Sequence, residues 1–321
     1  MKILSSPTKE REIEGRDPRS GEPPLVNLAE ITEIELLILR RMREFTIGEH
    51  RSLFHGNGFD FVGLRDWQAG DRFSAIDWPQ SSLTNFSPLI VREFEQPSTA
   101  NVVVVADGSL STRCGIDGVP IAAAIARAIA TIGMSAVFFQ DLFGLMTFDV
   151  GFAHLGAVRP RIGKNHVIHC LDAYQRQRGL QDVKQSDSIS RSIAGFMRKT
   201  SLIPVISDFL FDEVEPVLKE LAHLNSTHDV FIVLIDSAFA FELPSISAGW
   251  IEAFDVETGR ARVLSRKALR TLSSRTRAWQ DEVARRAKAV DLDVLRIGVD
   301  EQQTAIALSE FIAERRLRKA A

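Results

Sequence analysis

The stretch NVVVVADGSLSTRCG (101–115) sets an acid and two hydroxyls directly after an apolar run. Four consecutive valines read as a buried strand. Asp107, Ser109 and Ser111 then follow at intervals of two. In an extended segment that spacing turns the three side chains the same way. Carboxylate and hydroxyl oxygens so placed suit a hard cation, Mg2+, Mn2+ or Ca2+. A cation would also offset the cost of burying the Asp107 charge. The segment SLIPVISDF (201–209) ends in the same manner, with Ser207 and Asp208 past an apolar run. Where two such strands are neighbours, both aspartates reach one ion. Asp and Ser are also good helix caps, and for either segment alone capping stands as the alternative.

The elements that must position these residues alternate. Strand 101–106 precedes an Ala-rich helix in GVPIAAAIARAIATIGM, and SAVFFQD and GLMTFDV read as a hairpin through LFG. Helices are expected over about 164–176 and 188–199, and SLIPVISDF is a strand followed by the helix EVEPVLKELAHL. HDVFIVLIDS is a strand, GWIEAFDVETGRARVL a hairpin about ETG, and a basic helix runs over about 266–290. LDVLRIGV and a helix over about 301–318 close the series. Strands alternating with helices predict an α/β fold: a doubly wound, mostly parallel sheet with helices on both faces. In such sheets ligands bind at the carboxyl ends of the strands, which is where Asp107 and Asp208 fall.

Upstream, residues 1–24 are charged and proline-containing and read as a flexible lead-in without the apolar core of a secretion signal. Residues 25–98 combine a helix over 25–47, with Leu36, Leu39 and Met42 on or near one face, and a Gly- and aromatic-rich block of short strands. PLIVREFEQ is expected as an edge strand. Residues 99–321 form the α/β domain.

The chain has 321 residues and a formal net charge of −3, so it carries no general basic field for nucleic acid or anionic membrane. Its apolar runs read as too short and interrupted to cross a bilayer, and the expected location is the cytoplasm. The two cysteines, Cys114 and Cys170, lack metal-type spacing and read as free thiols of a reducing compartment. The histidines, His50 and His55 among them, have no metal-type spacing either.

The block GNGFDFVGLRDWQAGDRFSAIDW resembles the DUF58 family, through Gly56, Gly58, Arg65, Trp67, Gly70, Asp71, Ile76, Asp77 and Trp78. Asp107-x-Ser109-x-Ser111 resembles the metal-ion-dependent adhesion site of the von Willebrand factor A (vWA) fold. The resemblance covers residues 48 to about 236, and the vWA-like rhythm continues to the C-terminus. It implies a binding role rather than catalysis: Mg2+ held by Asp107, Ser109, Ser111 and Asp208, with an open position for a partner's carboxylate. It also implies a protein partner, a MoxR-type AAA+ ATPase or its client. The vWA site takes a further threonine from a separate loop. The matching region is KQSDSISRSIAGFM, which puts Asp187 at that position, or Ser186 or Ser188 with a one-residue slip. Thr112 stands where the family often has Met, and Ser74 where it commonly has Arg.

Rival chemistries fare less well. A metal-dependent phosphatase-like hydrolase of the haloacid-dehalogenase kind uses Asp-x-Asp, and here the second acid is replaced by Ser109. RIGKNH has Gly163-Lys164 without the first glycine or the hydroxyl of a phosphate loop. The basic helix, with Arg266, Lys267, Arg270, Arg275 and Arg277, is interspersed with Asp281 and Glu282 and reads as a solvated face rather than a nucleic-acid surface. Trp67, Phe73, Ile76 and Trp78 are expected to form a small core, with Arg65, Asp66, Asp71 and Asp77 in ion pairs and turn caps; a partner-binding patch is the other reading.

Overall fold

The computed structural model describes residues 24–48, 60–69, 71, 73, 76–95, 99–116, 119–149, 152–197, 199–211, 213–241, 250–254, 261–298 and 300–320. Residues 1–23, His50, His55, Gly56, Gly58, Gly70, Arg72 and Ser74 lie outside the described residues.

In chain order the first elements are α1 (Leu28–Gly48), β1 (Asp60–Asp66), α2 (Trp78–Leu83) and β2 (Ile90–Glu95). Next come β3 (Asn101–Asp107), β4 (Gly115–Ile116), β5 (Val119–Pro120), α3 (Ile121–Phe138), β6 (Leu142–Phe148) and β7 (Leu155–Arg161). Then follow α4 (Lys164–Arg176), β8 (Gln181–Asp182), α5 (Ile189–Phe196), β9 (Ser201–Ser207), α6 (Val214–Asn225) and β10 (Asp229–Ile235). The last are β11 (Trp250–Phe254), β12 (Ala261–Ser265), α7 (Arg266–Ala289), β13 (Asp293–Ile297) and α8 (Glu301–Ala320).

Seven strands form one sheet in the order β13-β10-β9-β3-β6-β7-β8. The five from β13 to β6 are parallel, and β7 and β8 add antiparallel at one edge. The valine run of β3 is buried on both faces, as a central parallel strand requires. Val102, Val104 and Ala106 pack with α1, α3, α4 and α8; Val103 and Val105 pack with α5, α6 and α7. The fold is therefore the expected α/β sandwich, consistent with a vWA-like arrangement.

The connections decide where the crevice lies. From β3 the chain crosses by α3 to β6 on one side, and from β9 it crosses by α6 to β10 on the other. β3 and β9 are neighbours, so their carboxyl ends flank the point where the winding reverses. That is the usual ligand-binding place in an open parallel sheet.

Four expectations are corrected. SAVFF is not a strand: α3 runs on to Phe138, because the apolar residues stay on the face buried under α1, α4 and α8, with the Ser135 hydroxyl satisfied on Thr131 O (2.8 Å). Packing overrides the β propensity of Val137, Phe138 and Phe139. The helix closes with Gln140 at φ 57° and Asp141 N–H on Ala136 O (2.8 Å). The hairpin sits one element later, between β6 and the unforeseen β7. There Gly144 lies where an added Cβ would come 2.8 Å from Pro160 Cγ.

The buried stripe of α1 is Ile31, Ile38 and Met42, whereas Leu36 is exposed. With it α1 joins the core of the α/β domain, packed on α3 and α8. Phe73 and Trp78 are 70% and 55% exposed, so these two do not join the expected small core; Ile76 is buried as expected, together with Val91. Phe73 still stacks on Trp67 at 6.0 Å. The polar part of that expectation holds for Arg65, Asp71 and Asp77. Arg65 grips Asp71 with two hydrogen bonds (2.7 and 2.8 Å), which hold Asp71 down to about 2, and Asp77 caps α2.

Among the described helices α3 alone has the length and apolarity of a membrane span, which the reading of apolar runs passed over. It lies at the centre of the fold, buried along nearly its whole length.

Candidate functional site

Asp107 is the last residue of β3 and is 3% exposed. Its Oδ1 accepts the Ser109 hydroxyl (2.6 Å) and the Ser109 N–H (3.0 Å). The Ser109 hydroxyl is also 3.0 Å from that of Ser111, which is exposed, so a line of oxygens leads from the buried carboxylate to the surface. Parallel pairing sets Ala106 against Ile206. One residue on, the Ser207 hydroxyl donates to Asp107 Oδ2 (2.6 Å).

Asp208 follows at the end of β9, buried, with Oδ1 accepting Leu210 N–H (3.1 Å) and the carboxylate bonded by the Ser237 hydroxyl just past β10. Phe209 turns the chain at φ 53°, a left-handed conformation that costs a bulky residue roughly 1–2 kcal/mol. Two bonds hold it there: Phe209 N–H to Ser207 Oγ (2.9 Å) and Trp279 Nε1–H to Phe209 O (2.8 Å). Beside Trp279, the fully buried Gln280 spreads its Nε2 over Asp208 O (3.1 Å), Ile235 O (2.7 Å) and Ser237 Oγ (3.2 Å). Thus α7 fixes the ends of both β9 and β10.

The end of α4 closes the other side. Tyr174, fully buried, donates to Asp107 O (2.8 Å), and Arg113 donates to Gln175 O (2.7 Å). Gln177, at φ 50°, lies over Gly108 so closely that a Cβ there would be 2.8 Å from Gln177 Nε2.

The loop expected to add a further ligand makes local contacts. Asp187 is exposed and paired with Arg191 (2.8 Å). Ser188 caps α5 by accepting Arg191 N–H, and Ser186 N–H bonds Ser192 Oγ (2.9 Å). No hydrogen bond or ion pair joins residues 186–188 to the Asp107–Asp208 cluster among the described residues.

The family description "Protein of unknown function DUF58" matches residues 63–288. The chain belongs to the DUF58 family. No curated protein matches it. The matched span holds the second half of β1, the whole of the strand-end cluster and the α7 residues that brace it; α1 and α8 fall outside.

The two carboxylates of the cluster, Asp107 and Asp208, are buried, and neither pairs with a basic side chain among the described residues. Burial pushes Asp107 above the usual carboxylate range, against the pull of the Ser109 and Ser207 hydroxyls, and Asp149 past β6 adds to the rise. Asp208 is pushed up to about 6, first by burial and then by the charge of Asp107. A divalent cation fits this donor set. All the ligating atoms are oxygen, and a serine that donates its proton to Asp107 keeps its lone pairs for a metal. The hydroxyls of Ser109, Ser111 and Ser207 with Asp107 and Asp208 are the residues that would hold it. Among the described residues there is no group of three His, Cys, Asp or Glu placed as metal ligands, so any cation here depends on hydroxyls.

Sequence reasoning brought Asp107, Ser109, Ser111 and Asp208 to one end of the sheet. It passed over Ser207 as a partner of Asp107, and Tyr174, Ser237 and Gln280 entirely. Gln280 gave no local signal, since only the fold turns it inward from an otherwise basic helix. Gln280→Leu is expected to lower stability by about 2 kcal/mol, because two buried carbonyls lose their donor. It should also weaken any Mg2+ response by loosening the 208–209 turn. Urea unfolding with and without MgCl2 checks both; an unchanged midpoint would remove Gln280 from the bracing of the site.

Proposed function

We propose that this protein is a non-enzymatic adaptor whose vWA-like domain binds Mg2+ and, through it, a carboxylate of a protein partner. Mn2+ and Ca2+ suit the same oxygens. Asp107, Ser109, Ser111 and Asp208 form the binding centre, with Ser207 beside them. The partner is a MoxR-type AAA+ ATPase or its client, met in the cytoplasm, and nucleic acid has no part in it. The observation that carries this reading is the buried Asp107–Asp208 pair at the sheet's winding reversal, surrounded by neutral hydroxyls that lead out to the exposed Ser111. The hydroxyls add no negative charge beyond that of the two aspartates, so an open position on the cation still accepts an incoming carboxylate at short range.

A phosphohydrolase has one feature on its side: Asp208 holds its proton up to about 6, as a general acid must near neutral pH. Against it, both oxygens of Asp107 are taken by hydroxyl donors at 2.6 Å, which dulls the carboxylate as a nucleophile.

Pull-down from native lysate, with captured proteins identified by mass, is expected to yield an AAA+ ATPase or its client in MgCl2. The capture should disappear in EDTA and in a folded Ser109→Ala, Ser111→Ala double variant. Purified protein should release no phosphate from p-nitrophenyl phosphate or ATP. Metal-dependent phosphate release that vanishes in Asp107→Asn would replace the adaptor by the hydrolase.

A further inference from the structure

Two leucines stand on the lips of the strand-end cluster. Leu110 directly follows Ser109 and is 52% exposed; Leu210 is two residues past Asp208 and is 39% exposed. They belong to turns at the ends of different strands, β3 and β9, which are paired neighbours in the sheet. Each is tied closely to the polar centre. Ser109 bonds Asp107, and the Leu210 N–H bonds the Asp208 carboxylate. The residues just before the leucines, Ser109 of the cluster on one side and Asp208 and Phe209 on the other, are buried. The core thus does not need the exposed parts of Leu110 and Leu210. Single exposed leucines are ordinary; two flanking one polar centre from two strand ends form an apolar rim around it.

The charge balance gives the rim a purpose. Two carboxylates and a dication sum to zero, so the centre attracts a further carboxylate only at short range and in competition with water. A carboxylate contact open to solvent is weak, whereas apolar groups that shut water out strengthen it. We propose that the site recognises a protein segment in which an Asp or Glu stands next to an aliphatic or aromatic residue. The acid meets the cation and its apolar neighbour covers Leu110 and Leu210. This inference rests on the cation-binding reading above and adds the chemistry of the partner's contact residues.

The test is a display library of random short linear peptides, selected on the full-length protein in millimolar MgCl2 and again in EDTA. The Mg2+ pool is expected to be enriched in an acid flanked by Leu, Ile, Met or Phe, and the EDTA pool to lack that pattern. A synthetic peptide of the enriched pattern should bind in fluorescence anisotropy. Leu110→Ser and Leu210→Ser should each weaken it by about tenfold, the worth of burying half a leucine side chain. Mg2+ affinity by calorimetry, without peptide, should stay unchanged in both variants. A Mg2+-dependent pool rich in acids but indifferent to their neighbours, or a peptide indifferent to both leucine variants, would overturn the rim and leave the cation site standing. The absence of any Mg2+-dependent acidic pool would overturn the cation reading along with it.

Discussion

In EDTA, Asp208→Asn is expected to stabilise the protein near pH 7.5 and to gain nothing near pH 4. The sign follows from linkage. Asp208 titrates at about 6 in the folded protein against 3.8 for an unperturbed aspartate. A folded-state value above the unfolded one contributes stability that is fully present below pH 3.8 and lost as pH rises through about 6. A difference of about two units corresponds to roughly 3 kcal/mol. Wild-type protein without metal should therefore weaken across that window relative to the variant, which carries no charge to bury. Comparison with the variant is needed because His166, whose value is lowered chiefly by burial, acts in the opposite direction over a similar range. Mg2+ should cancel the wild type's loss, since it binds the ionised pair. At a hundredfold excess over Kd it adds about 2.7 kcal/mol, a rise in Tm of several degrees. Asp208→Asn should show little of that rise, and Asp107→Asn none. Calorimetric melting curves at several pH values, with EDTA or MgCl2, measure all of this. Curves for the wild type that ignore MgCl2 would leave the two aspartates as turn and cap residues only.

Arg315→Ala is expected to cost about 3–5 kcal/mol, the range for breaking a largely buried ion pair. Arg315 projects from α8 to the starts of β10 and β13, where it bonds Asp229 and Asp293. Its side chain is 11% exposed and lies 4.9 Å from the ring centres of both Phe231 and Phe311. Alanine takes the Arg315 charge from Asp229, itself 13% exposed, and removes the group packed on both rings. Arg315→Lys should fall between, since an ammonium keeps the charge without the planar fork. Urea unfolding gives the difference; a loss below about 1 kcal/mol would mean that water already satisfies these acids.

The alternation of β3, α3, β9, α6 and β10 was legible because central parallel strands are buried on both faces and must be apolar throughout. That pattern survives in one dimension, as in the valine run of β3 and the all-buried SLIPVIS of β9. The acids at the strand ends were legible for the same reason: a charge that closes such a run has few structural excuses. Local pattern failed where packing chose between two periodicities. In SAVFF the β propensity of Val137, Phe138 and Phe139 points to a strand, and the face buried beneath α1 and α4 makes it the end of α3. In α1 the choice between Leu36 and Ile38 as the inward residue depended on where α3 and α8 lie. Phe73 and Trp78, apolar by type, ended at the surface, as did Leu110 and Leu210.

The site itself was only half written in the sequence. Asp107 and Ser207 are a hundred residues apart. Their 2.6 Å bond exists because β9 was threaded next to β3 and in register with it. Ser237 reaches Asp208 for the same reason, across the β9–β10 pair. Gln280 arrives from α7 and Tyr174 from α4, two helices on opposite faces of the sheet. Sequence by itself determined which residues end the central strands β3 and β9, since burial along such a strand is a local requirement. Tertiary structure alone decided which ends meet, because neighbours in a sheet are set by the crossovers and their register, which leave no local trace.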